Sequence, residues 1–379
     1  MSKCLIGVPR EVKPREGRVG ITPLGARVLC ALGAEVGIEQ DAGLLSGFSD
    51  WDYLSAGASI HLSAEKLYKE ADVIVKVKEP TPEEYPMLEL LRGKTIFAYL
   101  HLAGVDPELT KLLLRHNVTA IAYENVARTV VNQMTFPLLA PMSKIAGVQA
   151  MRGALKRHPK ERHCDLRVLI LGGGNVGEAA LEEALANGVA SVSLFELRDE
   201  RRTELRAKYL NRQGVSFFSF SALDTTGTEL SDVDIVISGV MTPGGAAAPK
   251  VLTQRHFRRM KPGAYIADVA IDQGGSTAWS KPTKPGETFT KGKKGLVFSC
   301  VPNIPGSTVP KEATLALTEA TFPYVKEVAQ NGAYFAMKGN LELRAGLQTF
   351  AGFVTNPNVL KHCGMNRLYY RPTEQFFEL

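Results

Sequence analysis

The chain has 379 residues, of which 45% are hydrophobic and 22% charged, and its formal net charge at pH 7 is +6. These values exclude a disordered chain, a collagen-like repeat and a small disulfide-stabilised fold. At about 150 residues per domain, the length predicts two domains. No apolar run reaches the ~18 residues of a membrane span, and the N-terminal segment is too short in its apolar part for a secretory signal. We therefore expect a cytoplasmic protein without a membrane partner.

The cysteines, histidines and basic residues form no motif of a metal or nucleic-acid site. The five cysteines are scattered and form no C-x-x-C pair, so we expect free thiols rather than a zinc ribbon or a disulfide framework. The basic residues lie in loops such as Lys281 to Lys294 and form no dense patch in the sequence, so we expect no nucleic-acid partner. Because H-E-x-x-H and G-x-S-x-G are both absent, we expect neither a metal site nor a serine hydrolase.

In the first part of the chain, apolar β-branched runs alternate with helical patterns, which predicts a mostly parallel sheet covered by helices on both faces. A helix is predicted over Thr22–Leu32, because Thr22 is placed to cap it, Pro23 suits its first position and Gly33 follows its end. The other predicted elements are the strands Cys4–Val8, Val73–Lys78, Thr95–Leu100 and Val118–Tyr123, and the helix Pro107–His116.

A second unit of the same kind begins near residue 167. Its predicted strands are Val168–Leu171, Val192–Phe195, Ser216–Phe220, Ile235–Ser238, Tyr265–Val269 and Leu296–Cys300. The stretch Thr135–Lys156, with helical spacing after Pro141, and the helical stretch Glu312–Asn331 are expected to carry the chain between the domains. The predicted fold class is α/β, with two Rossmann-like doubly wound domains and an active-site cleft between them. Residues 1–135 and 310–379 are expected to form a discontinuous substrate domain, and residues 136–309 a dinucleotide-binding domain.

A glycine-rich turn follows the first strand of the second unit. The segment 172–177, with Gly172, Gly174 and Gly177 in G-x-G-x-x-G spacing, stands between an aliphatic run and a predicted helix. In dinucleotide-binding folds the first glycine permits the tight turn, the second lets the backbone approach a pyrophosphate, and the third permits close helix packing. We therefore assign the turn, with Asn175 and Val176, to a cofactor site at a helix N-terminus.

Glu196 ends the next predicted strand, roughly 24 residues after Gly172 and close to the ~20 expected for the residue that binds a ribose diol. Its charge would oppose a 2′-phosphate, so NAD is predicted rather than NADP. Arg198, Arg201 and Arg202 stand nearby and weaken this preference for NAD. We also assign Ser238 and Gly239, at the end of the strand Ile235–Ser238, to the cofactor site.

Charged residues follow several predicted strands, at the edge where ligands bind in doubly wound sheets. Arg18, Lys78 and His101 lie in the first domain and Asp272 in the second, and facing domains would bring them together beside a nicotinamide. Arginine binds carboxylates bidentately, lysine binds a carboxylate or polarises a carbonyl, and histidine and aspartate move protons near neutral pH. We predict Arg18 and Lys78 as substrate-binding residues and His101 and Asp272 as catalytic residues.

Each of these residues also has a purely structural interpretation. A histidine at a strand end is often a satisfied structural residue, and Asp272 could serve only to brace the turn after it. Of Lys76 and Lys78, which both belong to a predicted strand, one is expected to be a solvated surface residue. The neighbouring Asp268 could simply bind backbone amides.

At these residues the sequence resembles the alanine dehydrogenase family, a branch related to nicotinamide nucleotide transhydrogenase. The resemblance extends from residue 5 to about residue 354. The matching stretches are Ile6–Glu11, Arg18–Pro23, Lys76–Pro80, Leu100–Ala103, Pro137–Ser143, Met260–Gly263, Ile271–Gly275, Ala316–Thr318 and Ala320–Thr321. The sequence departs from the family pattern in a short basic segment over residues 156–163, in a longer stretch over 302–310, and at Glu319.

The resemblance implies oxidative deamination of L-alanine to pyruvate and ammonia, with NAD as hydride acceptor. It implies that Arg18 and Lys78 bind the carboxylate and carbonyl of the substrate, and that His101 and Asp272 handle protons. Ser143 would contact the cofactor pyrophosphate, and Val301 and Asn303 would lie near the nicotinamide. The family further implies a homo-oligomer, a hexamer of two-domain subunits.

Three other functions stay open from the sequence. A transhydrogenase-like NAD-binding module shares the fold, but it lacks the histidine-containing strand end and the full Lys-Val-Lys-Glu-Pro. A saccharopine or opine dehydrogenase pairs lysine and histidine similarly, but without the Leu-His-Leu-Ala and Ile-Asp-Gln-Gly-Gly contexts. A non-catalytic descendant of the enzyme would not need Arg18, Lys78, His101 and Asp272 together.

Overall fold

The structure is a computed structural model that describes residues 3–130, 133–158, 162–225, 230–241 and 247–377. The chain folds into two compact units. Unit 1 comprises Met1–Met142 and Val309–Leu379, and unit 2 comprises Ser143–Thr308. Across the described ranges, no helix is both long and apolar enough to cross a membrane.

The strands of the described residues account for both sheets and one hairpin. In chain order they are β1 Leu5–Val8, β2 Glu35–Glu39, β3 Ser59–His61, β4 Val73–Lys78, β5 Thr95–Tyr99, β6 Thr119–Ala122, β7 Arg128–Val130, β8 Gln133–Thr135, β9 Arg167–Leu171, β10 Ser191–Phe195, β11 Val215–Phe218, β12 Ile235–Ser238, β13 Tyr265–Asp268, β14 Phe289–Lys291, β15 Leu296–Ser299, β16 Leu347–Phe350 and β17 Phe353–Val354.

The α-helices alternate with these strands over most of the chain. They are α1 Pro23–Ala31, α2 Asp50–Ser55, α3 Ala64–Glu70, α4 Pro107–Arg115, α5 Ala140–Arg157, α6 Asn175–Ala186, α7 Asp199–Lys208, α8 Phe220–Thr225, α9 Gln254–Arg259, α10 Ile304–Thr308, α11 Pro310–Gly339, α12 Leu341–Ala345 and α13 Pro357–His362. The predicted helix over Thr22–Leu32 is confirmed as α1, whose first turn is capped because the Thr22 hydroxyl accepts the Gly25 N–H at 3.2 Å.

The sheet of unit 1 has eight strands in the order β17-β16-β6-β5-β4-β1-β2-β3. The strands from β6 to β3 pair in parallel, whereas β16 and β17 add an antiparallel edge. The direction of the strand order reverses between β1 and β4, and ligands bind at such a point in doubly wound sheets. The carboxyl ends of β1, β4, β5 and β6 therefore define where a site is expected in this unit.

The sheet of unit 2 has seven strands in the order β11-β10-β9-β12-β13-β15-β14, and only β14 pairs antiparallel. Alternate residues of β9 enter the two hydrophobic cores on its two faces: Val168 and Ile170 enter one, and Leu169 and Leu171 the other. A strand buried on both faces is typical of a parallel sheet between helical layers. Two doubly wound α/β units are thus present, as the sequence predicts.

Two differences from the predicted elements have simple local causes. The strand predicted over Ser216–Phe220 ends at Phe218, and Phe220 begins α8, because periodicity alone does not separate a short strand from the start of a helix. The helix predicted over Glu312–Asn331 continues to Gly339, but Gly332 interrupts its helical geometry with φ +73° and ψ 155°. The predicted end therefore coincides with a glycine kink inside α11.

Candidate active site

Four sequence segments meet at the carboxyl edge of the unit 1 sheet. Arg18 lies in the loop after β1, Lys78 ends β4, His101 follows β5, and the turn Tyr123–Asn125 follows β6. Since these strands are parallel neighbours, their ends lie at one edge of the sheet. The structure thereby places the three predicted unit 1 residues at one edge, at the point where the strand order reverses.

Arg18 is buried and is bound by a buried carboxylate. Its Nε lies 2.7 Å from Oε1 of Glu16 and its Nη2 lies 2.6 Å from Oε2, while its backbone N–H donates to Oε1 at 3.0 Å. Burial alone would raise the pKa of Glu16, but the charge and hydrogen bonds of Arg18 outweigh it and lower that pKa to about 2. The same pair raises the pKa of Arg18. The guanidinium is therefore fixed as a cation in one orientation.

The two lysines of β4 have different environments. Lys76 has 0% side-chain exposure and pairs with Glu84 and with Glu11, whose Oε2 lies 3.7 Å from its Nζ. The expectation that one of Lys76 and Lys78 is a solvated surface residue is wrong, because Lys76 is buried and Lys78 is half-buried. Lys78 is half-buried and places its Nζ 5.9 Å from the ring centre of Tyr99.

Glu11 fixes the backbone that carries Lys78. Its Oε1 accepts the Val77 N–H at 2.7 Å and its Oε2 accepts the Lys78 N–H at 3.3 Å. The pairing of β4 with β5 is irregular between Val75 and Lys78, so these N–H groups are offered to a side chain. Burial raises the pKa of Glu11 to about 7, although the charge of Lys76 lowers it in part.

His101 adopts a left-handed backbone conformation, with φ +47°. Its imidazole stacks nearly parallel on Tyr99 with ring centres 5.9 Å apart, and its Nδ1 lies 3.7 Å from Oε1 of Glu124. Burial and the cations Lys78, Lys13 and Arg18 lower the pKa of His101 well below its ordinary value. The imidazole is therefore neutral at pH 7 and able to accept a proton.

The glycine-rich turn of unit 2 adopts the geometry that the sequence predicts. Gly172 has φ +94°, and a Cβ on Gly177 would lie 1.8 Å from the carbonyl oxygen of Gly172. A Cβ on Gly174 would meet nothing within 4 Å, so open space lies beside the turn there. Gly174 is the N-cap residue of α6 and has no side chain that could cap the first turn of this helix. These uncapped N–H groups and the open space beside them fit the phosphates of a dinucleotide.

Glu196 lies at the end of β10 and braces this turn. Its Oε2 accepts the Gly173 N–H at 2.7 Å, and its Oε1 accepts the backbone N–H of Arg198 at 3.0 Å. A carboxylate offers about four acceptor positions, so a ribose diol can still be bound. The nearby arginines pair with acids: Arg198 with Glu196, Arg201 with Glu178 and Glu204, and Arg202 with Asp199.

The other predicted cofactor residues are placed around α5, α6 and β12. Ser143 lies in α5 four residues before Gly147, where a Cβ would be 2.1 Å from the Val176 carbonyl oxygen, so both lie on the helix face toward the turn. A Cβ on Gly239 would lie 2.7 Å from Val176, which explains the glycine there. The side chain of Ser238 is fully buried and pairs with Ser276 at 2.7 Å, so a cofactor contact from Ser238 would have to use its backbone.

Asp272 and Asn303 are brought together in unit 2. Oδ2 of Asp272 accepts the Asn303 N–H at 3.2 Å; Asp272 is exposed, and Val301 is buried nearby in the chain. The turn after β13 is braced by Asp268, whose carboxylate accepts the N–H groups of Ala270 at 3.1 Å and Ser276 at 2.7 Å. The backbone-binding alternative for Asp268 is therefore confirmed. The meeting of Asp272 with the unit 1 residues stays a prediction.

Sequence reasoning missed the buried charges that position the predicted residues. Glu11, Glu16, Lys76 and Glu124 are the unit 1 examples. Glu16 carried a readable signal, since it stands two residues from Arg18. The partners of Glu11 and Glu124 lie 66 and 23 residues away along the chain and had no such signal.

The fold of the two units and the geometry of the glycine-rich turn together define the class of protein. It is a two-unit α/β protein in which unit 2 is of the Rossmann-like, dinucleotide-binding type. The model of "Alanine dehydrogenase/PNT, N-terminal domain" matches residues 7–146, and that of "Alanine dehydrogenase/PNT, C-terminal domain" matches residues 162–357. The chain belongs to the alanine dehydrogenase/PNT family.

Relatives and solved structures agree with this assignment. The alanine dehydrogenase of Halomonas elongata is 38% identical over 95% of this chain and 97% of its own length. That of Bacillus subtilis is 38% identical over 98% and 97%. A solved L-alanine dehydrogenase superimposes with a TM-score of 0.83 at 36% identity, covering 94% of this chain and 98% of its own. A transhydrogenase from Sinorhizobium meliloti, at 22% identity and TM-score 0.76, shares the fold.

Proposed function

We propose that this protein catalyses the NAD-dependent oxidative deamination of L-alanine to pyruvate and ammonia, and the reverse reductive amination. The observation that carries the proposal is the edge of unit 1, where Arg18, Lys78 and a neutral His101 follow neighbouring strands. Relatives named alanine dehydrogenase that match over nearly the whole chain support the choice of alanine.

Unit 1 offers the groups that an amino acid requires. The Arg18 guanidinium, oriented by Glu16, provides a fixed positive charge for a carboxylate. The Lys78 ammonium is positioned to polarise the oxygen that becomes the carbonyl of pyruvate. No metal is invoked for this polarisation, because lysine supplies the positive charge itself. The substrate is thereby oriented by two cations that the fold holds at one edge.

The reaction also moves protons. Loss of hydride from Cα leaves an imine, to which water adds before ammonia leaves. We assign the proton transfers of these steps to His101 and Asp272, two titratable groups in different environments. His101 is neutral because burial and three cations lower its pKa, so it can take a proton from the attacking water.

A nicotinamide dinucleotide supplies the hydride acceptor when it is bound. The residues of unit 2 fit such a group, because the uncapped start of α6 and the space beside Gly174 suit a pyrophosphate. Glu196 favours NAD over NADP, since its carboxylate would repel a 2′-phosphate while its neighbouring arginines pair with acids.

The test is a spectrophotometric assay of NADH formation over a panel of amino acids, with NAD and NADP compared at equal concentration. We expect L-alanine to have the highest kcat/KM, with NAD preferred, and pyruvate with ammonia to support the reverse reaction. Sedimentation of the same preparation tests the predicted hexamer.

Two outcomes would contradict the proposal. Preference for saccharopine or an opine would assign the protein to another amino-acid dehydrogenase class. Tight NADH binding without turnover of any amino acid or 2-oxo acid would indicate a binding module.

A further inference from the structure

Glu124 is a carboxylate next to His101 that the proposed reaction does not use, and its side chain is only 14% exposed. It lies in the turn Tyr123–Asn125 directly after β6, the strand that pairs with β5. Its Oε1 accepts the His101 N–H at 2.6 Å, and its Oε2 accepts the Leu100 N–H at 3.2 Å. Hydrogen bonds to an ionised carboxylate are roughly twice as strong as neutral ones. One side chain therefore fixes the two residues that continue β5 into the site.

The backbone of His101 needs such fixing. Its φ of +47° lies in the left-handed region, which residues other than glycine avoid at a cost of about 1–2 kcal/mol. From the other side, the His101 carbonyl accepts the N–H groups of Gly104 at 2.8 Å and Val105 at 3.2 Å. His101 is thus clamped between the turn that follows it and Glu124 on the neighbouring strand.

The same carboxylate oxygen also faces the imidazole ring. Oε1 of Glu124 lies 3.7 Å from Nδ1 of His101, too far for a direct hydrogen bond, so the carboxylate faces this nitrogen of the neutral ring at close range. The stacked Tyr99 ring restricts rotation of the imidazole. Nδ1 is therefore turned toward Glu124, which leaves Nε2 as the nitrogen for a substrate.

We propose that Glu124 is a positioning residue for His101: it holds the left-handed backbone through two N–H groups and directs Nδ1, so that Nε2 is presented to the substrate. This inference rests on the proposed function for the identity of the substrate. The placement of the ring does not depend on that function and can be tested without it.

The charges around the pair predict a pH signature. Burial raises the pKa of Glu124 to about 7, opposed by its backbone hydrogen bonds and by Lys78. The groups that face the pair from the neighbouring elements are Lys13, Arg18, Lys78 and the Tyr99 hydroxyl. Ionised Glu124 binds the N–H groups more strongly, so activity is expected to rise as pH increases through about 7.

The experiment compares Glu124→Gln, which keeps one oxygen acceptor, with Glu124→Ala, which keeps none. Asp72→Asn is the matched control, because Asp72 accepts the Leu5 N–H at 2.8 Å at the amino end of the same sheet. Measured quantities are kcat and KM for L-alanine, the pH profile, the Kd for NADH, and the ¹⁵N shifts of the His101 imidazole.

A misplacement of about 1 Å can cost 10²-fold in rate, so we expect kcat to fall roughly tenfold in Glu124→Gln and 10²-fold in Glu124→Ala. The rise in activity near pH 7 should be absent from the pH profile of Glu124→Gln. The NADH Kd should change less than twofold in the Glu124 variants, and the Asp72→Asn control should keep wild-type kcat. The His101 ¹⁵N shifts should change in both Glu124 variants and stay unchanged in the control.

Unchanged imidazole shifts and wild-type kcat in Glu124→Gln would overturn the inference, even if Glu124→Ala fails to fold. A lowered melting temperature with the pH limb intact would also overturn it, because that result means Glu124 only stabilises the fold. A wild-type protein without alanine turnover would instead contradict the proposed function, and the imidazole shifts would still decide the positioning role.

Discussion

At the carboxyl edge of the unit 1 sheet, the backbone is held by buried carboxylates: Glu11 accepts the N–H groups of Val77 and Lys78, and Glu124 those of Leu100 and His101. At the carboxyl edge of the unit 2 sheet, the turn is shaped mainly by glycines, with Gly177 and Gly239 packed where a Cβ would collide. Carboxylates also brace the second edge, at Glu196 and Asp268, but close packing of glycines is what distinguishes its turn from the first edge.

The difference follows from what each edge is proposed to bind. A small amino acid offers a carboxylate and an amine, so its site needs fixed charges, and buried charges need partners. A dinucleotide offers a pyrophosphate that backbone N–H groups can bind, so its site needs close backbone approach. Substitutions that change charge should therefore act mainly through unit 1, and those that change volume mainly through unit 2.

Asp272 could break this comparison, because it is an exposed carboxylate at the edge of unit 2. Asp272→Asn should lower kcat by roughly 10²–10⁴-fold, the usual scale for a general acid–base group, with the NADH Kd unchanged. Asp268→Asn is the control: it loses acceptors for Ala270 and Ser276 and should cost about 1–3 kcal/mol of stability. An unstable but fully active Asp272→Asn would remove Asp272 from the chemistry.

The two lysines of β4 separate stability from catalysis within unit 1. Lys76→Met leaves Glu11 and Glu84 without their buried cation and should lower the free energy of unfolding by about 3–5 kcal/mol. Lys78→Met should fold normally and bind NADH, yet lose about 10²–10³-fold in kcat because the charge that we propose to polarise the substrate is lost. Denaturant titration measures the stability of both variants, and steady-state kinetics measures their kcat. A Lys76→Met variant that is inactive but has normal stability would show that Lys76, and not Lys78, is the catalytic lysine.

Glu16 and Glu11 should act on stability in opposite pH ranges. The pKa of Glu16 is lowered to about 2, so its stabilisation is present above pH 4.5 and is lost as pH falls toward 2, by roughly 3 kcal/mol. The pKa of Glu11 is raised to about 7, so its contribution is largest below pH 4.5 and is lost as pH rises toward 7. Denaturant titrations between pH 2 and pH 8 should lose the acid slope in Glu16→Gln and the neutral slope in Glu11→Gln. The same slope missing from both variants would refute the distinction.

Glycine substitutions test whether the turn of unit 2 depends on close packing. A Cβ on Gly177 would lie 1.8 Å from the Gly172 carbonyl, so Gly177→Ala should cost about 1–3 kcal/mol and weaken NADH binding. Gly174→Ala meets nothing within 4 Å and should keep the melting temperature while weakening NADH binding, because its methyl group enters the proposed phosphate space. Thermal unfolding and NADH fluorescence titration test both, and unchanged NADH binding in Gly174→Ala would move the cofactor away from this turn.

The sequence alone determined the elements whose signal lies within a short window. The strand Val73–Lys78 and the strand Ile235–Ser238 have the predicted bounds, and the glycine turn stands between β9 and α6 as expected. Periodic apolar residues, caps and glycines encode such elements locally. Strands β2 and β3 were not predicted, because they are short and because β2 pairs with β1, and β3 with β2, across intervening helices.

Only the tertiary structure decided which charges are buried and what they bind. Lys76 has the same local sequence signal as Lys78, and the difference between them arises because Glu11 and Glu84 reach Lys76 from other segments. Glu124 meets the His101 N–H only because β5 and β6 are parallel neighbours. The local sequence around a carboxylate does not show which backbone N–H will donate a hydrogen bond to it. The physical reason is that a buried charge is tolerated only with its partners, and the partners are assembled by the sheet order rather than by the local chain.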